Sequence, residues 1–163
     1  MIGGRLKEFL KSKKYLVREI SRKDFAKADF KRILKDIDIV INCIGVDINN
    51  SKNFKKTIKA NFDIPTKLFE ISNLVKVKYF VFLSSFHVYK QIPYRTINEN
   101  SKLEITNNYN KSKILCEKSL KKKIKNTKLI IIRSCNLFGF PLNNSQNCWR
   151  ILINSLIKKL SKN

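Results

Sequence analysis

The sequence predicts an α/β fold: a doubly wound parallel sheet with helices on both of its faces. Three observations carry that expectation. The runs Asp38–Ile44, Tyr79–Leu83 and Leu129–Ile132 are apolar nearly throughout and rich in β-branched residues, as strands are when both faces are buried. Segments with apolar residues three and four apart separate them, which is the helical period. Small polar residues and a glycine (Gly45, Ser84, Ser85, Asn136) stand just past the strand ends, and ligands of such sheets bind at the carboxyl edge.

Taken in order, Gly3 to Lys14 reads as a helix with Leu6, Phe9 and Leu10 on one side and lysines on the other. Tyr15 to Ile20 reads as a short strand ended by Ser21, Arg22, Lys23 and Asp24. Phe30 to Lys35 suits one or two helical turns. Asp38 to Ile44 is the clearest buried strand, closed by Gly45. Lys55 to Asn73 is a long helix on Ile58, Phe62, Leu68, Phe69 and Ile71, and Pro65 bends or splits it. Tyr79 to Leu83 is a second buried strand. Gln91 to Asn108 is polar and irregular, Tyr109 to Lys123 helical, and Leu129 to Ile132 a strand. A loop over Asn136 to Asn147 and a helix over Cys148 to Leu160 complete the chain. No internal repeat or linker appears, so residues 1–163 read as one partial domain.

Composition narrows the function. The 163 residues carry 35 Lys and Arg against 12 Asp and Glu, a formal charge of +23. Such an excess attracts nucleic acid without specificity. Here lysine dominates and runs through the whole chain instead of forming a stripe. Specific nucleic-acid binding is therefore not expected, and the field serves instead to gather anionic small molecules. Cys43, Cys116, Cys135 and Cys148 form no C-x-x-C pair and His87 is the lone histidine, so no metal site is expected. No signal peptide and no membrane-spanning apolar run are visible, and reduced thiols fit a cytoplasmic protein.

The chemistry is concentrated in Tyr109 and Lys113, four residues apart and hence on one face of a helix. An ammonium beside a phenol stabilises phenolate and lowers its pKa from about 10 toward neutrality. A tyrosine so poised exchanges a proton with an alcohol, and Ser85 at a strand end can hydrogen-bond the same oxygen. That is equipment for reversible alcohol oxidation, given a hydride carrier. The bare Tyr-x-x-x-Lys spacing equally describes a solvated amphipathic helix, so the surrounding motifs carry the argument.

Those motifs resemble an extended short-chain dehydrogenase/reductase of the NAD-dependent epimerase/dehydratase branch. Met-Ile-Gly-Gly-Arg-Leu at the start resembles the tail of the glycine fingerprint, with Gly3 its third glycine. Asp38 to Gly45 resembles the fourth strand and the turn under the cofactor, and Ala60-Asn61 a pair on the next helix. Phe82 to Tyr89 resembles the serine motif, Asn98 to Ser101 the acidic turn, and Tyr109 to Glu117 the active helix. Ile132 to Pro141 resembles the segment that closes over cofactor and substrate.

The resemblance implies a Rossmann-like sheet, a nucleotide-sugar substrate and NAD or NADP as cofactor. A homodimer is compatible with it. It implies Ser85, Tyr109 and Lys113 as the catalytic set. It implies cofactor contacts from Gly3, Arg22, Ile44, Gly45, Asn61, Ser84, Tyr109 and Lys113, and substrate contacts from Ser85 and Asn136. Arg22 at the end of the second strand leans the choice toward NADP, whose 2′-phosphate a basic residue accommodates. Departures point the other way. The first strand, the first two fingerprint glycines and most of the substrate domain have no counterpart, Lys90 stands where glycine is usual, and Ser134 where proline often is. The sheet is thus expected to be incomplete.

Single residues have plainer readings beside these. Ser84 suits a structural role as well as a cofactor contact. Asn61 suits an ordinary polar helix position, and Asn136 a turn. His87 reads as a packed or half-exposed residue, and Glu99 and Glu117, without visible partners, as surface or helix-end charges. Two function classes follow: a nucleotide-sugar epimerase, dehydratase or reductase, or a catalytically inactive binding domain of that lineage.

Overall fold

The structure, a computed structural model, describes residues 2–21, 25, 29–91, 96–135 and 137. The chain divides into two compact units, Met1–Phe25 with Asn136–Asn163, and Ala26–Cys135. In the first, α1 spans Ile2–Ser12 with no buried residue. It ends in a Schellman motif: Tyr15 N–H donates to the Leu10 carbonyl at 3.1 Å and Lys14 N–H to that of Lys11 at 2.9 Å. Lys14, at φ 63°, takes the left-handed position that glycine usually fills.

The expected strand at Tyr15 to Ile20 does not form. Tyr15 and Leu16 are 64% and 89% exposed, and no described strand lies alongside them. A strand exists only through a ladder partner, so local β propensity is insufficient here. The loop and helix expected after Asn136 fall outside the described residues.

In the second unit α2 is Phe30–Leu34, capped by Asp29, whose side chain accepts from Arg32 N–H. The sheet holds three strands, β1 (Ile39–Asn42), β2 (Tyr79–Ser85) and β3 (Lys128–Ser134), in the order β1-β2-β3. All pairings are parallel, with Asn42 opposite Phe82, Ser84 opposite Arg133 and Ser85 opposite Ser134. This is the partial Rossmann-like α/β sheet the apolar runs predicted.

The expected long helix is three pieces: α3 (Phe54–Ile58), a π-helical turn over Lys59–Asp63, and α4 (Ile64–Leu74). Pro65 gives the reason. It has no N–H for the Asn61 carbonyl, and its ring would collide there. Widening the turn, so that Ile64 N–H reaches the Lys59 carbonyl, removes the conflict. Helix α5 (Asn108–Lys122) follows the irregular segment.

Phe69 of α4 meets Phe80 of β2 edge-to-face at 5.1 Å, and Phe82, Val77, Cys116 and Leu120 are fully buried with them. Alternate residues on the opposite face, Ile39, Tyr79, Ile130 and Ile132, stay 36–51% exposed. Within this unit, then, α4 and α5 pack on one face of the sheet. Asn73, buried at the end of α4, ties the core to the next crossover: its Oδ1 accepts from the Lys125, Asn126 and Thr127 amides at 3.1–3.2 Å.

Candidate active site

The β1 edge of the site is held by Asn61. Fully buried in the π-helical turn, it accepts from Val46 N–H at 2.8 Å, donates to the Val46 carbonyl at 3.3 Å, and donates to Ser112 Oγ of α5 at 3.0 Å. Asn61 is thus engaged with backbone and is no ordinary polar helix position. The neighbouring backbone is drawn in closely. A Cβ on Gly45 would lie 2.9 Å from Asn61 Oδ1 and 3.5 Å from Lys113 Nζ, so this approach requires glycine. Ile44, partly buried, donates its N–H to Asn42 Oδ1 at 3.3 Å.

The start of α5 is set by asparagines. Asn107 and Asn110 form a reciprocal capping box, which satisfies donors a helix start leaves open. Buried Asn110 also donates to the carbonyls of His87 and Glu104 at 3.3 and 3.1 Å. Asn108 donates to the Ser51 and Lys52 carbonyls, both at 3.1 Å. Tyr109 sits between these anchors. Its position therefore follows from polar contacts that a search for apolar periodicity passes over.

The structure brings Ser85, Tyr109 and Lys113 together at the carboxyl edge. Ser85 Oγ accepts from His87 N–H at 3.2 Å, and the Ser85 side chain lies near enough to the Tyr109 phenol to pull its pKa down. Lys113 Nζ donates to the Leu83 carbonyl at 2.8 Å. It lies 4.9 Å from the Phe82 ring centre and 6.0 Å from that of Tyr109. His87 contributes backbone here, and the residue is exposed.

The electrostatics differ from the expectation. Burial raises the Tyr109 phenol above its ordinary value of 10.0, the nearby Ser85 hydroxyl pulls it down, and Asp47 raises it further. The Lys113 ammonium is not among the causes. Lys113 is itself shifted, down to about 8, because burial outweighs the charges of Cys116, Glu117 and Cys43. The cation that was to depress the tyrosine is thus engaged with a strand-end carbonyl and partly destabilised by burial.

Ser84 faces the other way. Its hydroxyl donates to Glu117 Oε1 at 2.5 Å. Glu117 is no surface charge: its side chain is 2% exposed and bound by Arg133, while the Glu99 side chain is exposed as expected. The pairing was legible only as an acid eight residues after Tyr109 and an arginine ending a strand twenty-four residues on, with nothing in the spacing to join them. Gly3 lies in the first turn of α1, in the other unit. Arg22 and Asn136 fall outside the described residues. No group of three His, Cys, Asp or Glu among the described residues is disposed to hold a metal, and no helix among them is long and apolar enough to cross a membrane.

Three solved structures share this fold. UDP-N-acetylglucosamine 4-epimerase from Methanobrevibacter ruminantium M1, in complex with UDP-N-acetylmuramic acid, is 24% identical, with a TM-score of 0.76 over 88% of this chain and 47% of that one. UDP-glucuronic acid 4-epimerase from Bacillus cereus, in complex with NAD, is 22% identical, with a TM-score of 0.72 over 86% and 44%. dTDP-4-dehydrorhamnose reductase from Bacillus anthracis str. Ames, in complex with NADP, is 21% identical, with a TM-score of 0.79 over 99% and 56%. The chain spans about half the length of these proteins. No curated protein matches it. The profile of the NAD dependent epimerase/dehydratase family matches residues 1–163, and the chain belongs to that family.

Proposed function

We propose that this chain carries the active centre of an NAD(P)-dependent epimerase, dehydratase or reductase of nucleotide sugars. Tyr109 is the acid/base, Ser85 orients the substrate hydroxyl, and Lys113 serves both phenol and cofactor ribose. One observation carries the reading: Ser85 beside the Tyr109 phenol, with Lys113 one helical turn along and bound to the Leu83 carbonyl, at the carboxyl edge of a parallel sheet. Three groups with distinct proton-handling roles converge where such folds bind ligands.

In its phenolate form Tyr109 accepts the proton of a substrate hydroxyl, while Ser85 donates a hydrogen bond to that substrate oxygen as it takes on charge. The phenol, raised by burial, is protonated at neutral pH and ready for the reverse step. Lys113 spends one of three ammonium donors on Leu83, leaving the others for ligand hydroxyls. The residues fit a dinucleotide: Gly45 leaves bare backbone beside Lys113, where any side chain would intrude. Gly45, Ile44 and Lys113 would hold the nicotinamide end. The nicotinamide, when bound, accepts or returns the hydride.

Calorimetric titration with NAD and NADP, followed by turnover assays on UDP- and dTDP-linked sugars, tests this. Tyr109→Phe is expected to lower turnover by about 10²- to 10⁴-fold while cofactor affinity stays. Full turnover by Tyr109→Phe would end the assignment. Cofactor binding without any turnover would favour the inactive binding domain.

A further inference from the structure

Behind the site lies a buried ionic cluster for which the proposed chemistry has no use. Glu117 stands one turn beyond Lys113 on α5. Arg133 Nε donates to both of its carboxylate oxygens, at 3.1 and 3.2 Å, and Nη2 donates to Oε2 at 2.7 Å. Arg133 Nη1 donates to the Tyr89 hydroxyl and the Glu99 carbonyl, each at 2.9 Å. Its guanidinium lies 4.8 Å over the Tyr89 ring. Ser84 Oγ completes the cluster on Glu117 Oε1, and Arg133 is the cross-strand neighbour of Ser84.

A buried pair of this kind contributes little net stability beside apolar residues of the same shape. What it supplies here is connection. It joins the last turns of β2 and β3, the middle of α5, and the segment after Ser85 that carries Tyr89 and Glu99. Ser84 and Ser85 are one peptide apart on opposite faces of a strand end. Holding Ser84 from below therefore sets where Ser85 points.

We propose that Glu117 and Arg133 are positioning residues: through Ser84 they aim Ser85 at the Tyr109 hydroxyl, and through Tyr89 and Glu99 they hold the segment that follows. Its turnover arm rests on the function proposed above; its structural arm does not. The charged groups near the phenol are Asp47, from the loop after β1, and Lys113, and neither belongs to the cluster.

The test uses the full chain labelled with ¹³Cζ-tyrosine, with Tyr109→Phe identifying the Tyr109 signal. Two variants are titrated by NMR: Ser84→Ala, and the apolar replacement Glu117→Leu with Arg133→Met, which avoids stranding a buried charge. With Ser85 no longer aimed, Tyr109 is expected to titrate at higher pH in both. Turnover is expected to fall about ten- to a hundredfold, with KM within about twofold. An unmoved Tyr109 titration in both, with only the melting temperature changed, would overturn the proposal. So would lost NAD(P) affinity in Ser84→Ala with Tyr109 unmoved, which would return Ser84 to the cofactor. An inactive wild-type chain would sink the proposed function, yet the titration would still decide the positioning role.

Discussion

Helices α1 and α5 are both lysine-rich and amphipathic in sequence, and they end differently. α1 has a clean apolar side and buries no residue. α5 buries Asn110, Ser112, Lys113, Ile114, Cys116, Glu117 and Leu120, of which four are strongly polar. Each of those four has a defined partner: the cap and two carbonyls for Asn110, Tyr109 O and Asn61 for Ser112, Leu83 O for Lys113, Arg133 for Glu117. A buried polar group without a partner costs free energy, so such a helix exists only where its surroundings were matched to it. The helix that holds a site is thus distinguished by satisfied polar burial more than by amphipathicity.

The contrast is most exposed to a test at the acids. Glu117→Ala strands Arg133, whose side chain is 13% exposed, and is expected to cost about 3–5 kcal/mol in urea unfolding. Glu8→Ala in α1 removes a 4.0 Å pair to Arg5 with both side chains at least half exposed, and should cost about 0.5 kcal/mol or less. Equal costs would break the comparison.

Apolar truncation sharpens it next. Leu120→Ala, at a fully buried position, should cost about 3 kcal/mol. Phe9→Ala, 58% exposed in α1, should stay within about 1 kcal/mol. A large loss from Phe9→Ala would show α1 to be better packed than its exposure says.

Two lysines should respond to pH with opposite signs. Lys113 has a folded value near 8, below its ordinary 10.5, so the unfolded chain binds its proton more tightly. Stability relative to Lys113→Met should therefore rise between about pH 8 and 10.5. Lys7 is raised by its hydrogen bond to Glu19, so its contribution is present below 10.5 and lost as pH climbs through the folded value. Denaturant midpoints across that window, for Lys113→Met and Lys7→Met, would check both directions.

The smallest effect concerns helix ends. Lys76 after α4 takes the same left-handed position as Lys14, at φ 59°, with Val77 N–H closing on the Ser72 carbonyl at 2.9 Å. Lys76→Gly should raise stability by about 1 kcal/mol, and Lys14→Gly by less, since few contacts hold its helix. An unchanged melting temperature for Lys76→Gly would contradict this.

The sequence by itself determined the three strands of the sheet and that helices separate them, because continuous apolar runs and the 3.6-residue period are local signals. It determined also that Ser85, Tyr109 and Lys113 could share an edge, since strand ends and a helix start converge in a parallel sheet. Tertiary structure decided the rest. Tyr15 to Ile20 had strand composition and no partner, so it made no strand. Pro65 announced an interruption, but the wide turn that buries Asn61 against Val46 depended on what lay beside it. The electrostatics reversed for the same reason: spacing put an ammonium near a phenol, and only burial could set the direction in which each titrates. Glu117 and Arg133 looked like two more charges in a charged chain. Register between β2 and β3 and the facing turn of α5 made them a pair, because a desolvated charge persists only where the fold brings its opposite to it.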